Sequence, residues 1–166
     1  GKAEAISSSW DKTLRHWDLR SGQTLQIFEG HSLDVTCVDI AADGSWLVSG
    51  SWDRCLKVWD LSGQCQASLQ QHSDYVTDVA ILPSSNPEQK QCLSISKDGT
   101  LICWDIQRGD WIYKACNQEN GEYTTLGRQG ALRASNYQTA ARVIRTVENQ
   151  QTHPLTPKQY QVTSQL

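Results

Sequence analysis

The sequence holds 166 residues, 38% hydrophobic and 20% charged, with a formal charge of −3 and a pI near 5.8. That length leaves room for one ordinary domain, and the mildly acidic balance excludes a wholesale nucleic-acid binder. No apolar run approaches the roughly 18 residues of a membrane span, and no signal-peptide core opens the chain.

In chain order, Ala3–Ser9 and Leu14–Asp18 read as strands about the turn Trp10-Asp11-Lys12-Thr13, and Thr24–Phe28 as a third strand beyond Gly22. Gly30-His31 precedes the alternating run Asp34–Ile40. Ala42-Asp43-Gly44 is a hairpin turn, because Asp-Gly supplies the positive φ that such turns need. Ser45–Ser51, Cys55–Asp60 and Gln64–Leu69 follow as strands, the last two about the turn Ser62-Gly63. After His72, the strands Tyr75–Leu82, Gln91–Ser96, Thr100–Asp105 and Trp111–Ala115 repeat the series. Their first connection, Pro83 to Lys90, carries two prolines among polar residues and reads as a loop. Asn117–Gly130, with three glycines, also reads as loop. Ala131–Asn149 has an apolar arc at helical spacing (Leu132, Tyr137, Ala140, Val143, Ile144, Val147) and predicts a helix. Gln150–Leu166 is polar, holds Pro154 and Pro157, and reads as a tail.

The first 116 residues contain an internal repeat. Ser49-Gly-Ser-Trp-Asp53-Arg-Cys-Leu-Lys-Val-Trp59-Asp60 is matched upstream from Ser7 through Asp11 to Trp17-Asp18. It is matched again downstream from Ser94 through Asp98 to Trp104-Asp105. In each copy a Ser stands four residues before an Asp, and a Trp-Asp pair begins six residues after it. The pairs lie 42 and 45 residues apart, the period of a four-stranded propeller blade, the WD repeat. Seven Trp against one Phe is the aromatic usage that a Trp-bearing repeat produces. The fold class expected is all-β, an incomplete WD40 β-propeller of about 2¾ blades with a partly helical C-terminal extension. Residues 1–116 form the propeller fragment, divided into a partial blade (1–29) and two blades (30–69 and 70–116). Residues 117–166 form the extension.

Polar groups facing a buried seam must be hydrogen-bonded or cost several kcal/mol. The arrangement expected is a chain from Trp59 to Ser49 to His31 to Asp53, with Trp104, Ser94, His72 and Asp98 as its second copy. Ser7, Asp11 and Trp17 are a third copy that lacks its His. With no Met in the sequence, this reads as a piece cut from a longer ring. Ser, His and Asp are also the residue types of a catalytic triad. Repetition once per blade, the tie to a Trp and the lack of a Gly-x-Ser-x-Gly elbow argue for a structural role instead. Cys37, Cys55, Cys65, Cys92, Cys103 and Cys116 have no CxxC spacing and read as buried reduced thiols rather than zinc ligands or disulfides. The sequence offers no nucleotide loop, no metal spacing and no small-molecule substrate site, so the expectation is a non-enzyme without cofactors.

Several segments resemble one family, the receptor for activated C kinase, also called guanine nucleotide-binding protein subunit beta-like protein. Ser9-Trp10-Asp11-Lys12-Thr13-Leu14-Arg15 with Trp17-Asp18-Leu19 is similar to the end of that family's second blade. Gly30-His31 with Asp34-Val35, and Val48 to Ser51, resemble its third. Gly63 with Cys65, His72-Ser73 with Tyr75-Val76, and the loop Pro83-Ser-Ser-Asn-Pro87 resemble its fourth. The resemblance covers residues 3–106 and implies a seven-bladed, cytoplasmic, non-enzymatic scaffold on the 40S ribosomal subunit. It would bind signalling proteins, protein kinase C among them. The family's main rRNA-contacting basic loop lies in a first blade that these residues do not match, and residues 117–166 match no part of it. A WD-repeat adaptor off the ribosome and a truncated product without independent function are the alternatives.

Trp10 and Trp52 precede the turn aspartates and are expected at the surface. With Lys12, Arg54 and Lys97 they form the candidate partner-binding set, where the cations would meet phosphate or acidic side chains. Solvated loop charge is the alternative reading of those cations. For the extension, an unrelated tail, a cap on the last blade and a partner-binding segment all remain open.

Overall fold

The computed structural model describes residues 3–84, 86, 88–117, 123–128, 132–134 and 160–162. Every regular element among them is a strand. β1 (Glu4–Ser8), β2 (Leu14–Asp18) and β3 (Thr24–Phe28) form the first sheet. β4 (Val35–Ile40), β5 (Trp46–Ser51), β6 (Cys55–Asp60) and β7 (Cys65–Gln70) form the second. β8 (Val76–Ile81), β9 (Gln91–Ser96), β10 (Thr100–Asp105) and β11 (Asp110–Asn117) begin the third. It continues through β12 (Tyr123–Gly127), β13 (Leu132–Ala134) and β14 (Tyr160–Val162). Within the first two sheets, and from β8 to β11, each strand pairs antiparallel with the next in sequence. Three meandering sheets of this order are consistent with blades of a WD40 propeller.

The sheets stack face to face, and the sequence alternation dictates which residues meet. Leu14 and Phe28 of the first sheet close on Val35, Leu47 and Trp59 of the second. The Phe28 and Trp59 rings meet edge to face at 5.9 Å, a geometry the ring quadrupoles favour. The other face of the second sheet presents Cys37, Trp46, Val48, Leu56, Val58 and Leu69 to Val76, Val79, Cys92, Ile102 and Trp104 of the third. The second sheet is therefore covered on both sides, which explains why all six residues of β5 are buried. The outermost strands β3 and β7 are mostly exposed and anchor themselves with one residue each, Phe28 and Leu69.

Two polar ties cross between the second and third sheets. Thr36 Oγ1 donates to the Val76 carbonyl at 2.6 Å, and the Ile81 amide donates to Asp39 Oδ2 at 2.7 Å. Gly50 lies where β8 crosses closest. A Cβ there would stand 2.5 Å from Val76 Cγ1 and 2.7 Å from Cys37 Sγ. A register shift falls immediately before the repeat Trp in all three copies, between His16 and Trp17, Val58 and Trp59, and Cys103 and Trp104. Each shift adds local twist.

The C-terminal region departs from the sequence reading. Tyr123–Gly127, expected as loop, is a strand antiparallel to β11. Leu132–Ala134, expected to begin a helix, is a strand against β12, and Tyr160–Val162 pairs parallel to β13. The remainder of the expected helix, 135–149, lies outside the described residues. The physical reason is the outer edge of β11, whose free N–H and C=O groups template further pairing. Tyr123, Thr124 and Thr125 are strand-forming types, whereas Arg133 interrupts the apolar arc a helix would need. The thiols also differ from expectation. All six are free, but Cys65 is exposed and Cys55 and Cys116 are half-buried. Only Cys37, Cys92 and Cys103 are buried. Burial pushes the Cys37 thiol up to about 11 and raises that of Cys92 as well.

Candidate functional site

The second sheet assembles one polar chain. Trp59 Nε1 donates to Ser49 Oγ at 2.9 Å, and His31 Nε2 lies 2.8 Å from the same oxygen. His31 Nδ1 meets Asp53 Oδ2 at 2.8 Å. A carboxylate can only accept, so Nδ1 carries the proton and Nε2 accepts from the Ser49 hydroxyl. The third sheet repeats this. Trp104 donates to Ser94 at 2.8 Å, and His72 meets Ser94 at 2.8 Å and Asp98 at 3.1 Å. In the first sheet Trp17 donates to Ser7 at 2.9 Å. There the Asp11 carboxylate instead accepts from Thr13 and Arg15.

Each aspartate also organises backbone. Asp53 accepts from the amides of Ser32 and Cys55, and Asp98 from those of Ser73 and Thr100. One carboxylate thus clamps the segment carrying the His to the turn between the second and third strands of its sheet. Burial opposes ionisation of Asp53, but His31 and the amides of Ser32 and Cys55 outweigh it and hold the carboxyl at about 2. Burial opposes Asp98 likewise, and Thr100, the Ser73 amide and His72 bring it to about 2. Burial lowers the His72 pKa against the pull of Asp98, so this imidazole is neutral near pH 7.

These directions fix an acid response. An aspartate whose folded pKa lies below its unfolded value near 3.8 stabilises the fold above pH 4, and that contribution is lost as pH falls towards 2. His72, held neutral, adds a loss that begins as pH falls below its ordinary 6.5. Urea midpoints measured from pH 8 to pH 2 are expected to decline gently below 6.5 and steeply below 4. A midpoint that stays level between pH 4 and 2 would contradict the charge assignment.

Sequence reasoning passed over several partners. Ser51 Oγ accepts from the Asp53 amide and donates to the Leu33 carbonyl. Ser96 Oγ does the same with Asp98 and the carbonyls of Asp74 and Tyr75. The signal was present, because a Ser stands two residues before the aspartate in every copy (Ser9, Ser51, Ser96). Thr100 Oγ1 joins both His72 and Asp98, and has no threonine counterpart at Cys55.

The turns themselves are strained in two copies. Lys12 and Arg54 have φ of 71° and 69°, and Gly99 occupies the same position at 78°. Their amides close β-turns onto Ser9, Ser51 and Ser96. This is a turn followed by a left-handed residue, where glycine is at ease and other L-residues are not. Replacing Arg54 or Lys12 by Gly is expected to raise the urea-derived stability by about 1 kcal/mol, as relief of left-handed strain outweighs the added chain entropy. Loss of stability in both variants would show that the two long side chains hold the turns.

Trp10 is 77% exposed and Trp52 47% exposed; Lys12 and Arg54, two residues further on, are exposed as well, and so is Lys97, which takes the Trp position in the third turn. The Trp52 ring lies 5.5 Å from that of Tyr75, which belongs to the next sheet's His-bearing segment. Ser49 and Ser94, by contrast, are sealed, at 0% and 1% exposure. No substrate could reach either hydroxyl. Among the described residues no three His, Cys, Asp or Glu converge as a metal site, and no helix is long and apolar enough to cross a membrane.

Residues 22–60 and 63–105 each match the WD40 family of WD domain, G-beta repeats. This chain carries WD40 repeats. Among curated proteins it is similar to small ribosomal subunit protein RACK1 of Candida albicans, 45% identical, over 67% of this chain and 48% of that one. It is 42% identical to the protein of that name in Saccharomyces cerevisiae, over 64% of this chain and 34% of that one. The rice protein named RACK1y is 30% identical, over 66% and 47% respectively. The chain spans about half, or less, of the length of these relatives. The matched repeats take in Ser49, Asp53 and Trp59 and their copies Ser94, Asp98 and Trp104, while Ser7, Asp11 and Trp17 precede the matched residues.

Proposed function

We propose that the chain is a non-enzymatic protein-interaction scaffold acting in the cytoplasm with the small ribosomal subunit, to which its relatives' name assigns them. The observation that carries this reading is the division of labour at the repeats. The reactive-looking Ser–His–Asp groups are consumed internally, while Trp10 and Trp52 stand exposed beside Lys12, Arg54 and Lys97 on the turns. Aromatic residues flanked by cations fit protein surfaces that present acidic groups, and the cations also suit rRNA phosphate. Signalling proteins, kinases among them, are the partners proposed. The four-residue networks hold the blades over 30–69 and 70–116, with 1–29 as a partial blade, and take no part in contact with partners.

Sedimentation tests the reading. The tagged chain expressed in yeast should travel with the small-subunit peak of a sucrose gradient, and the Trp10→Ala/Trp52→Ala double variant should leave it. Recovery of protein partners with no small-subunit signal would favour a WD-repeat adaptor off the ribosome.

A further inference from the structure

The seam between the second and third sheets opens into a cleft at the end of the strands away from the Trp52 turn. Its walls are the connections from β4 to β5 and from β8 to β9, and its volume is about 450 Å³. Ile40, Trp46, Ile81, Leu82 and Pro83 give it an apolar lining. Trp46 is sunk into the core, whereas Ile40 is 41% exposed. The repeat itself does not demand a Trp at 46. Opposite the Asp of the Trp-Asp pair, where Trp46 faces Asp60, the first sheet has Glu4 and the third Gln91. Main-chain bonds fix the second wall to its sheet, from the Leu82 amide to the Gln91 carbonyl and from the Ile106 amide to the Lys90 carbonyl. The Lys90 ammonium stands 5.6 Å from the centre of the Trp46 ring, within the range in which an aromatic face attracts a cation. Among the described residues no carboxylate pairs with that ammonium. Asp43 also lines the cleft, but its carboxylate is taken up by the amide and hydroxyl of Ser45.

We propose that this cleft is a docking site for a short extended segment of a partner protein, in which an apolar side chain seated against Trp46 and Ile40 is followed by an acidic one that meets Lys90. Three features select that occupant. The apolar lining lies between two packed sheets, so a side chain entering it sheds water against rigid walls. The Lys90 ammonium, held over the Trp46 ring beside that lining, complements one acidic group. The Asp43 charge on the same cleft works against a run of acidic residues, which limits the match to a single carboxylate. The site lies at the opposite end of the sheets from Trp10 and Trp52, and does not depend on an association with the small ribosomal subunit.

The probe is the capped peptide acetyl-Gly-Gly-Phe-Glu-Gly-Gly-amide, titrated to millimolar concentration into the nitrogen-labelled full chain and followed by NMR. Saturable shifts are expected at the Trp46 indole, at the amides of Ile40 to Asp43 and at that of Lys90. The same peptide with Gln in place of Glu should bind about tenfold more weakly. Lys90→Gln should weaken the Glu peptide by the same factor and leave the Gln peptide unchanged, a split that a purely structural Lys90 would not produce. If Lys90→Gln disturbs the chain's own spectrum, Ile40→Ser serves as the second variant. It alters an exposed side chain and should weaken both peptides alike. Absence of saturable shifts, equal affinity for the two peptides, or shifts confined to the Trp10 and Trp52 turns would each overturn the proposal. A concentration-dependent dimer that excludes the peptide would overturn it too, by making a second copy the occupant.

Discussion

Gly50→Ala is expected to cost the chain about 2 kcal/mol, read as a fall in the urea midpoint at unchanged slope. The backbone at Gly50 is ordinary strand, so the penalty is steric rather than conformational. The added methyl would stand 2.5 Å from Val76 Cγ1 and 2.7 Å from Cys37 Sγ, against branched and packed side chains on two sheets. Neither can swing clear, because Val76 is fully buried and Cys37 is 8% exposed. The strand β8 must retreat, and the Thr36–Val76 bond at 2.6 Å stretches with it. Gly44→Ala is the control. Its Cβ would meet open space, and its cost is confined to the positive φ of 70° at about 1 kcal/mol. Equal losses in the two variants would refute the close-approach account.

The second large effect is expected at Asp53. Asp53→Ala leaves the His31 Nδ1 proton and the Ser32 and Cys55 amides without their acceptor. Unpaired buried donors cost about 1–3 kcal/mol. The loss should fall near the top of that range, because His31 is held in place by Ser49 and cannot turn to water. Asp11→Ala removes the same residue type at the same repeat position. Its carboxylate is exposed and bonds neighbours of its own turn and strand, Thr13 and Arg15 among them, so the loss should be clearly smaller than that at Asp53. A thermal or urea comparison of the two substitutions separates the contribution of the clamp from that of the residue type. Matching losses would mean that the clamp contributes nothing of its own.

The all-β character of the first 116 residues was legible because the repeat gives three aligned views of one unit. Cys55–Asp60, Gln91–Ser96 and Thr100–Asp105 fall at the bounds read from sequence, and Asp-Gly and Pro-rich punctuation located the turns. The choice of Trp10 and Trp52 as surface residues came from their place before the turn aspartate, and both are exposed. What was not legible depends on neighbours in space. Thr36 and Asp39 bond to a sheet forty residues away, and no local pattern distinguishes them from ordinary strand residues. Ser51 and Ser96 were visible as repeats, but their second role requires knowing which carbonyl passes overhead. Beyond Asn117 there was no repeat to compare. A loop was read over Tyr123–Gly127 and the start of a helix over Leu132–Ala134, where the β11 edge instead recruits the first into the sheet and the second pairs onto it. The edge effect belongs to the partner strand, so the segment's own composition could not reveal it.

The polar chains of the second and third sheets are each complete within their own sheet, and the ties between those sheets are few and specific. Asp39 and Thr36 carry them from the second to the third. Damage should therefore travel one neighbour at a time. Opening the third sheet would strip Asp39 of its donor and Thr36 of its Val76 acceptor yet leave the His31–Asp53 clamp closed. The molecule is then a row of tiles rather than a single keystone arch. Amide exchange should register that as separate steps, with the β5 amides, tiled on both sides, the last to yield.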